Sequence, residues 1–224
     1  DANADKLREE GDAAMTAKNY PEVVAKYSEY LKLTNYEDES RVFNCAFAAY
    51  NAKKYDDAIK FYDMAIQKGY KTDDAYVGKA MSLRSQDKAA DFTATVEAGL
   101  KANAQNANLE KLLYAYCMKK GQAAQKAGKT EEAEELFKDV LVVGNAKYKG
   151  NALYSLGVMF YNAGAKILAD ANPIATSDPD KYAAEKKKAD AQMAKAKGYL
   201  EQAIALNAAD ANSKKILDAI NAAK

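Results

Sequence analysis

The sequence predicts an all-α fold built from repeated helix–turn–helix units, and three observations predict it. Only 3 prolines and 11 glycines interrupt the 224 residues, so the chain lacks the punctuation of an all-β fold. Small residues recur on a fixed interval: Gly11 is followed by Ala46 after 35 residues and by Ala80 after a further 34. Sixteen places beyond each stands an aromatic or branched side chain, Tyr27, Tyr62 and Val96. A period of this length marks stacked supersecondary units. Hydrophobic residues make up 49% of the chain, enough to build a core, which argues against disorder.

The units are numbered so that the recurring small residue takes position 8. Position 4 is then a large anchor on the first helix: Leu7, Val42, Tyr76, Cys117 and Leu153. Position 8 reads Gly11, Ala46, Ala80, Gly121 and Gly157. Position 17 opens the second helix with Tyr20, Tyr55, Ala89 and Thr130. Position 20 reads Val23, Ala58, Phe92, Ala133 and Ala196; position 24 adds Phe137 and Leu200 to the three residues above; position 27 reads Tyr30, Ala65, Gly99, Val140 and Ala203. Spacings of three and four return to one helix face, so positions 4, 8 and 11 make a stripe on helix A, and 20, 24 and 27 make one on helix B. Position 8 is small because helix B crosses there.

In chain order, the units fall at about residues 4–37, 39–72, 73–106, 107–147 and 148–210, within a single domain over 1–224. The fourth opens with a long helix predicted over 107–126, because Leu109, Leu112, Leu113 and Tyr116 extend the apolar stripe upstream. The fifth carries a helical insertion at about 165–195. Its first helix continues through Ile167 and Leu168 until Asn172-Pro173 stops it. Asp178-Pro179 then restarts a helix as N-cap and first helical residue. Tyr182, Ala189, Met193, Ala196 and Leu200 form its stripe, so the insertion predicts a protruding, alanine-lined helical hairpin. Residues 211–223, with Ile216, Leu217 and Ile220, predict a short helix capping the open end of the stack.

These residues resemble the tetratricopeptide repeat (TPR), a helix–turn–helix unit of 34 residues, over roughly 4 to 210. The resemblance implies an α-solenoid that binds proteins or peptides along the concave face lined by its A helices, without catalysis. It also supplies a test. Family members that hold heat-shock chaperone tails use basic and Asn side chains at five set positions. Here Arg8 and Asn44 match, whereas Asp12, Asp74 and Gly78 do not, so a chaperone-tail adaptor is not expected.

Composition narrows the function further. Lys and Arg number 33 against 32 Asp and Glu, so no electrostatic footprint for nucleic acid exists. There is no histidine, which removes the commonest general base and the commonest metal ligand. No phosphate-binding glycine loop occurs, and neither a metal site nor a cofactor is expected. The acidic run Glu131, Glu132, Glu134 and Glu135 reads as the first turn of a B helix, and Lys186, Lys187 and Lys188, flanked by Glu185 and Asp190, as a solvated face. Cys45 and Cys117 read as buried small apolar residues. No apolar run is long enough to span a membrane. The start at Asp1 without methionine implies removal of something upstream, and the missing histidine and tryptophan with abundant Lys, Asn and Tyr resemble mature bacterial cell-envelope proteins. Together these give the expectation of a periplasmic or secreted chain after signal removal, with a cytoplasmic one as the alternative.

One face carries the functional expectation. Positions lining the A-helix groove supply Arg8 and Asp12 from the first unit, Phe43, Asn44, Phe47 and Tyr50 from the second, Val77, Met81 and Arg84 from the third, and Tyr154, Val158 and Tyr161 from the fifth. A face meant only for water would be polar. Aromatic and Met side chains there are the types enriched at binding hot spots. The expectation is a protein or peptide ligand in this groove. The alternative is a self-associating structural component of the cell envelope, a homo-oligomer whose groove is filled by its own kind.

Overall fold

The computed structural model describes residues 1–223; residue 224 of the expected domain lies outside them. The described residues form eleven α-helices and no strand. The helices are α1 (Ala2–Thr16), α2 (Tyr20–Leu33), α3 (Glu39–Asn51), α4 (Tyr55–Gln67), α5 (Thr72–Ser85) and α6 (Ala89–Ala102), then α7 (Ala107–Lys126), α8 (Thr130–Asp139), α9 (Ala146–Ala171), α10 (Pro179–Leu206) and α11 (Ala211–Ala222). Short 3-10 turns follow α8 and α9 at Val140–Val142 and Asn172–Ile174. The long helix at 107–126, the stop at Asn172-Pro173 and the restart at Pro179 all stand where the sequence predicts them.

Local chemistry fixes the helix ends. The side chains of Asp1, Asn19, Asp38, Asn145, Asp178 and Asp210 each accept from a backbone N–H two or three residues on, satisfying donors the first turn leaves orphaned. The turns from A helix to B helix share one geometry. Lys18, Lys53, Asp87 and Gly128 take positive φ, between 55° and 75°. The following amide donates to the carbonyl five residues back, in Asn19 to Ala14, Lys54 to Ala49, Lys88 to Leu83 and Lys129 to Ala124. This is the Schellman closure, and glycine at 128 meets its left-handed position without a Cβ penalty.

The chain divides into two compact units, Asp1–Leu112 and one beginning at Leu113. In the first, each helix packs on its chain neighbour, α1 on α2, α2 on α3, and so on through α6. The core holds Leu7, Val23, Tyr27, Leu31, Val42, Cys45, Phe61 and Tyr62. Position 8 does what its smallness predicts, since a methyl added at Gly11 would overlap the Tyr27 ring. Gly78, at position 6, receives the Tyr62 ring of the preceding repeat in the same way. Tyr76 is the one position-4 anchor that stays half-buried.

In the second unit, Gly121 meets Phe137 and Gly157 meets Leu200, again position 8 against position 24. Leu200 lies 43 residues after Gly157, so the pairing survives the insertion between them. The insertion lengthens α9 and α10 together, and they pack along each other as an antiparallel hairpin. Its seam is small: Ala171, Ala189 and Ala196 are buried, and Gly164 lies close to the Ala189 carbonyl and the Met193 side chain. Helix α11 returns along the base of the pair, placing Ile216, Leu217 and Ile220 against the cluster of Phe160, Met193 and Leu200.

Candidate functional site

The expected groove residues of the first unit fall on three equivalent stripes. Arg8 and Asp12 stand at i and i+4 on α1, where Met15 continues them at i+7; Phe43, Phe47 and Tyr50 hold the same spacing on α3, and Val77, Met81 and Arg84 on α5. Such spacing keeps each trio on one face. Eight of these nine are half-buried and Phe47 is exposed, at 41% of its full accessibility. Each A helix therefore presents a face that is neither core nor fully solvated.

The aromatic side chains are braced from behind. Phe47 meets Tyr20 edge-on at 5.9 Å between ring centroids, and Phe43 meets Tyr62 at 5.7 Å and Tyr70 at 6.1 Å. Tyr50 leans on Tyr55 at 5.8 Å. Phe43 and Tyr50 flank the core as well as facing outward, whereas Phe47 stands outside it. The Lys71 ammonium lies 5.2 Å from the Phe43 ring, placing a cation beside the aromatic stripe.

The polar members are engaged differently from what the sequence suggests. Arg8 pairs with Asp5 at 3.5 Å across one turn. Asp12 is already occupied: Arg41 Nε donates to its Oδ1 at 3.0 Å and Nη2 to its Oδ2 at 2.7 Å, while the Tyr27 hydroxyl donates to Oδ1. Arg41 also donates to Asp38 at 2.8 Å, and Tyr30 donates to the same Asp38 oxygen at 2.7 Å. Hydrogen bonding from Arg41 holds the Asp12 carboxyl below the usual range. Burial alone would raise Asp38, but hydrogen bonds from Tyr30 and Arg41 outweigh it and lower it too. Burial, then the Asp12 contact, pushes the Tyr27 hydroxyl up. Arg41, absent from the expected site, is thus the hub of a network joining α1, α2 and α3. The i, i+3 spacing to Asp38 is local, but nothing local marks the hub, because its other partner, Asp12, lies 29 residues away.

In the second unit, Tyr154, Val158 and Tyr161 repeat the i, i+4, i+7 pattern on α9, all half-buried. Tyr154 and Tyr161 pack against the core cluster. Tyr161 also lines a cavity between α9, α10 and α11. Further along, Tyr114 stacks on Tyr148 at 4.2 Å and 11°, and Asn151 donates to the Tyr114 hydroxyl at 2.9 Å. The acidic run on α8 has a structural use: Glu134 accepts from Tyr199 at 2.7 Å and Lys195 at 3.3 Å, tying α8 to α10. In the lysine run, Lys186 pairs with Asp190 and Lys188 with Glu185 on the helix surface. Cys45 and Cys117 are free and buried, and burial pushes both thiols up to about 12. Among the described residues no cluster of His, Cys, Asp or Glu could hold a metal ion, and no helix is long and apolar enough to cross a membrane.

No protein-family model matches the chain, and no curated protein does. A solved structure does. The chain is similar to a TPR repeats protein from Bacteroides fragilis, with 44% identity over 99% of each chain and a TM-score of 0.91. The complex of the TPR2AB domain of yeast Sti1 with pHSP90 is a more distant likeness, 15% identical over 97% of this chain and 96% of that one, with a TM-score of 0.37. The near relative matches over the whole length, insertion and final helix included, and the small-to-large pairing of positions 8 and 24 recurs in both units. On these grounds the chain belongs to the bacterial tetratricopeptide-repeat proteins.

Proposed function

We propose that this protein is a non-catalytic scaffold that binds a peptide or protein along the outward stripes of α1, α3 and α5. The observation that carries the reading is Phe47, a large aromatic left 41% exposed between half-buried Phe43 and Tyr50 on the same face of α3. An exposed aromatic continued along its helix face by two half-buried ones supports an apolar contact surface there. Met81 and the three α3 aromatics would give affinity; Arg8, Asn44, Lys71 and Arg84 would orient the ligand. Asp12 belongs to the scaffold, since Arg41 and Tyr27 already use its oxygens. Family membership supports the same reading, as does a chain without histidine whose two thiols are buried.

The test is quantitative affinity capture from the native source with the wild type and Phe47→Ala, followed by titration of whatever the wild type retains. If Phe47 is a hot spot, its truncation weakens binding by about 1–3 kcal/mol, roughly 5- to 150-fold. Stability should fall by much less than the 3–5 kcal/mol of an emptied core phenylalanine site. A partner held equally well by Phe47→Ala and Met81→Ala would remove the reading.

A further inference from the structure

The cavity that Tyr161 lines is a second surface. At 1.5 Å per residue, the 28 residues of α10 run about 42 Å and the 12 of α11 about 18 Å, so α11 covers less than half of the hairpin. Where it ends, a cavity of about 910 Å³ opens between α9, α10 and α11. Its floor is apolar, with Tyr161 and Leu168 from α9, Met193 from α10 and Ile220 from α11. Ile220 belongs both to this floor and to the packed seam under α11, so the cavity continues an interface the protein already makes with a helix.

We propose that this cavity docks an amphipathic helix of a partner protein, laid along α9 and α10 in line with α11. The bed is the same pair of antiparallel helical ridges in which α11 seats Ile216, Leu217 and Ile220, and ridges of this kind accept another helix. The charged wall favours a helix over a single-headed amphiphile. Lys186, Asp190 and Lys197 line α10 over eleven residues, about 16 Å, rather than converging on one point. Lys186 is paired with Asp190 at 3.3 Å and Lys197 with Glu201 at 3.9 Å. A partner helix meets this edge of alternating charge with alternating basic and acidic residues of its own and lays an apolar stripe at i, i+3, i+4 and i+7 on the floor.

The experiment titrates the full chain with a fluorescein-labelled synthetic peptide of about four turns, leucines on that stripe and alternating glutamates and lysines on the α10-facing edge, read by fluorescence anisotropy. Saturable binding in the micromolar range is expected, weakened at least tenfold by Leu168→Glu and by Ala194→Arg, and unchanged by Phe47→Ala. Ala194 is exposed, so that variant keeps the test decisive if Leu168→Glu disturbs folding. The proposal is overturned if binding does not saturate below about 1 mM, or if both cavity variants bind as the wild type does. It is equally overturned if sedimentation shows wild-type dimers that Ala194→Arg dissociates, which would make the occupant a second copy. Laurate binding at this site without peptide binding would also overturn it, assigning the cavity to a lipid chain.

Discussion

Arg41 closes on both carboxylate oxygens of Asp12, 29 residues earlier in the chain, and so joins the A helices of the first two repeats. The planar guanidinium supplies two parallel donors, a geometry a lysine ammonium cannot reproduce. The third donor reaches Asp38, the N-cap of the helix on which Arg41 sits.

Replacing Arg41 with methionine leaves two half-buried carboxylates without the cation they share. The network is partly solvated, so the loss should fall below that of a fully buried pair, at about 1–3 kcal/mol. Urea unfolding of Arg41→Met and Arg41→Lys should show both less stable than the wild type. A double-mutant cycle with Asp12→Asn should show coupling, because each change breaks the same contact.

The same network gives an acid limb. Asp12 and Asp38 titrate below their ordinary value in the folded protein. A lowered folded pKa contributes stability that is complete above the unfolded value, near 4, and is lost as pH falls through the folded one. The stability gap between wild type and Arg41→Met should therefore be full at pH 6 and shrink below about pH 4. Denaturant midpoints taken from pH 2 to pH 7 would show it, and a gap constant over that range would refute the assignment.

Glycine-to-alanine substitutions should split by position. At Gly11 and Gly157 a methyl would overlap Tyr27 and Leu200, so Gly11→Ala and Gly157→Ala should cost about 1–3 kcal/mol despite alanine's better helix propensity. Gly198, inside α10, has open space where its Cβ would stand. Gly198→Ala should therefore gain roughly 0.5–1 kcal/mol. Thermal midpoints of the three variants give the comparison directly.

Both thiols should resist modification. Thiolate is the reactive form, and at pH 8 a thiol pushed up to about 12 is almost wholly protonated and sealed in the core. Labelling with an aromatic disulfide reagent should proceed at the rate of unfolding and become fast in denaturant. Rapid labelling of either cysteine in the native protein would contradict the packing around α3 and α7.

Helix limits were legible because they are written locally. Asn172-Pro173, Asp178-Pro179 and the stripe from Leu109 to Tyr116 set ends and faces within a few residues of themselves. Position 8 facing position 24 was legible too, since a fixed period of small and large residues implies that they meet. The Arg41 hub was not, because a surface arginine has many carboxylates to choose from: Asp38 lies within one turn, but only the tertiary fold brings Asp12, 29 residues earlier, to the same guanidinium. The same holds for Gly78: counted as a missing basic residue, it is the space the Tyr62 ring occupies. The half-burial of Phe43 and Tyr50 depends on Tyr62, Tyr70 and Tyr55 behind them, which spacing on one helix does not reveal. Nor could the sequence show which part of the hairpin α11 lies against, since helix lengths alone do not say which stretches of two helices lie side by side.

Packing of each helix on its chain neighbour has a consequence for how the protein comes into being. In the first unit, α1 finds α2 within the first 33 residues, and every later helix meets a partner already made. Short-range pairing of this kind lowers the loop-closure cost and speeds folding. A chain emerging from the ribosome could therefore build its first repeats while the rest is still being synthesised. The fifth repeat is different: Leu200 reaches Gly157 only after the 43-residue excursion through the hairpin, so its closure waits until most of α10 has been made.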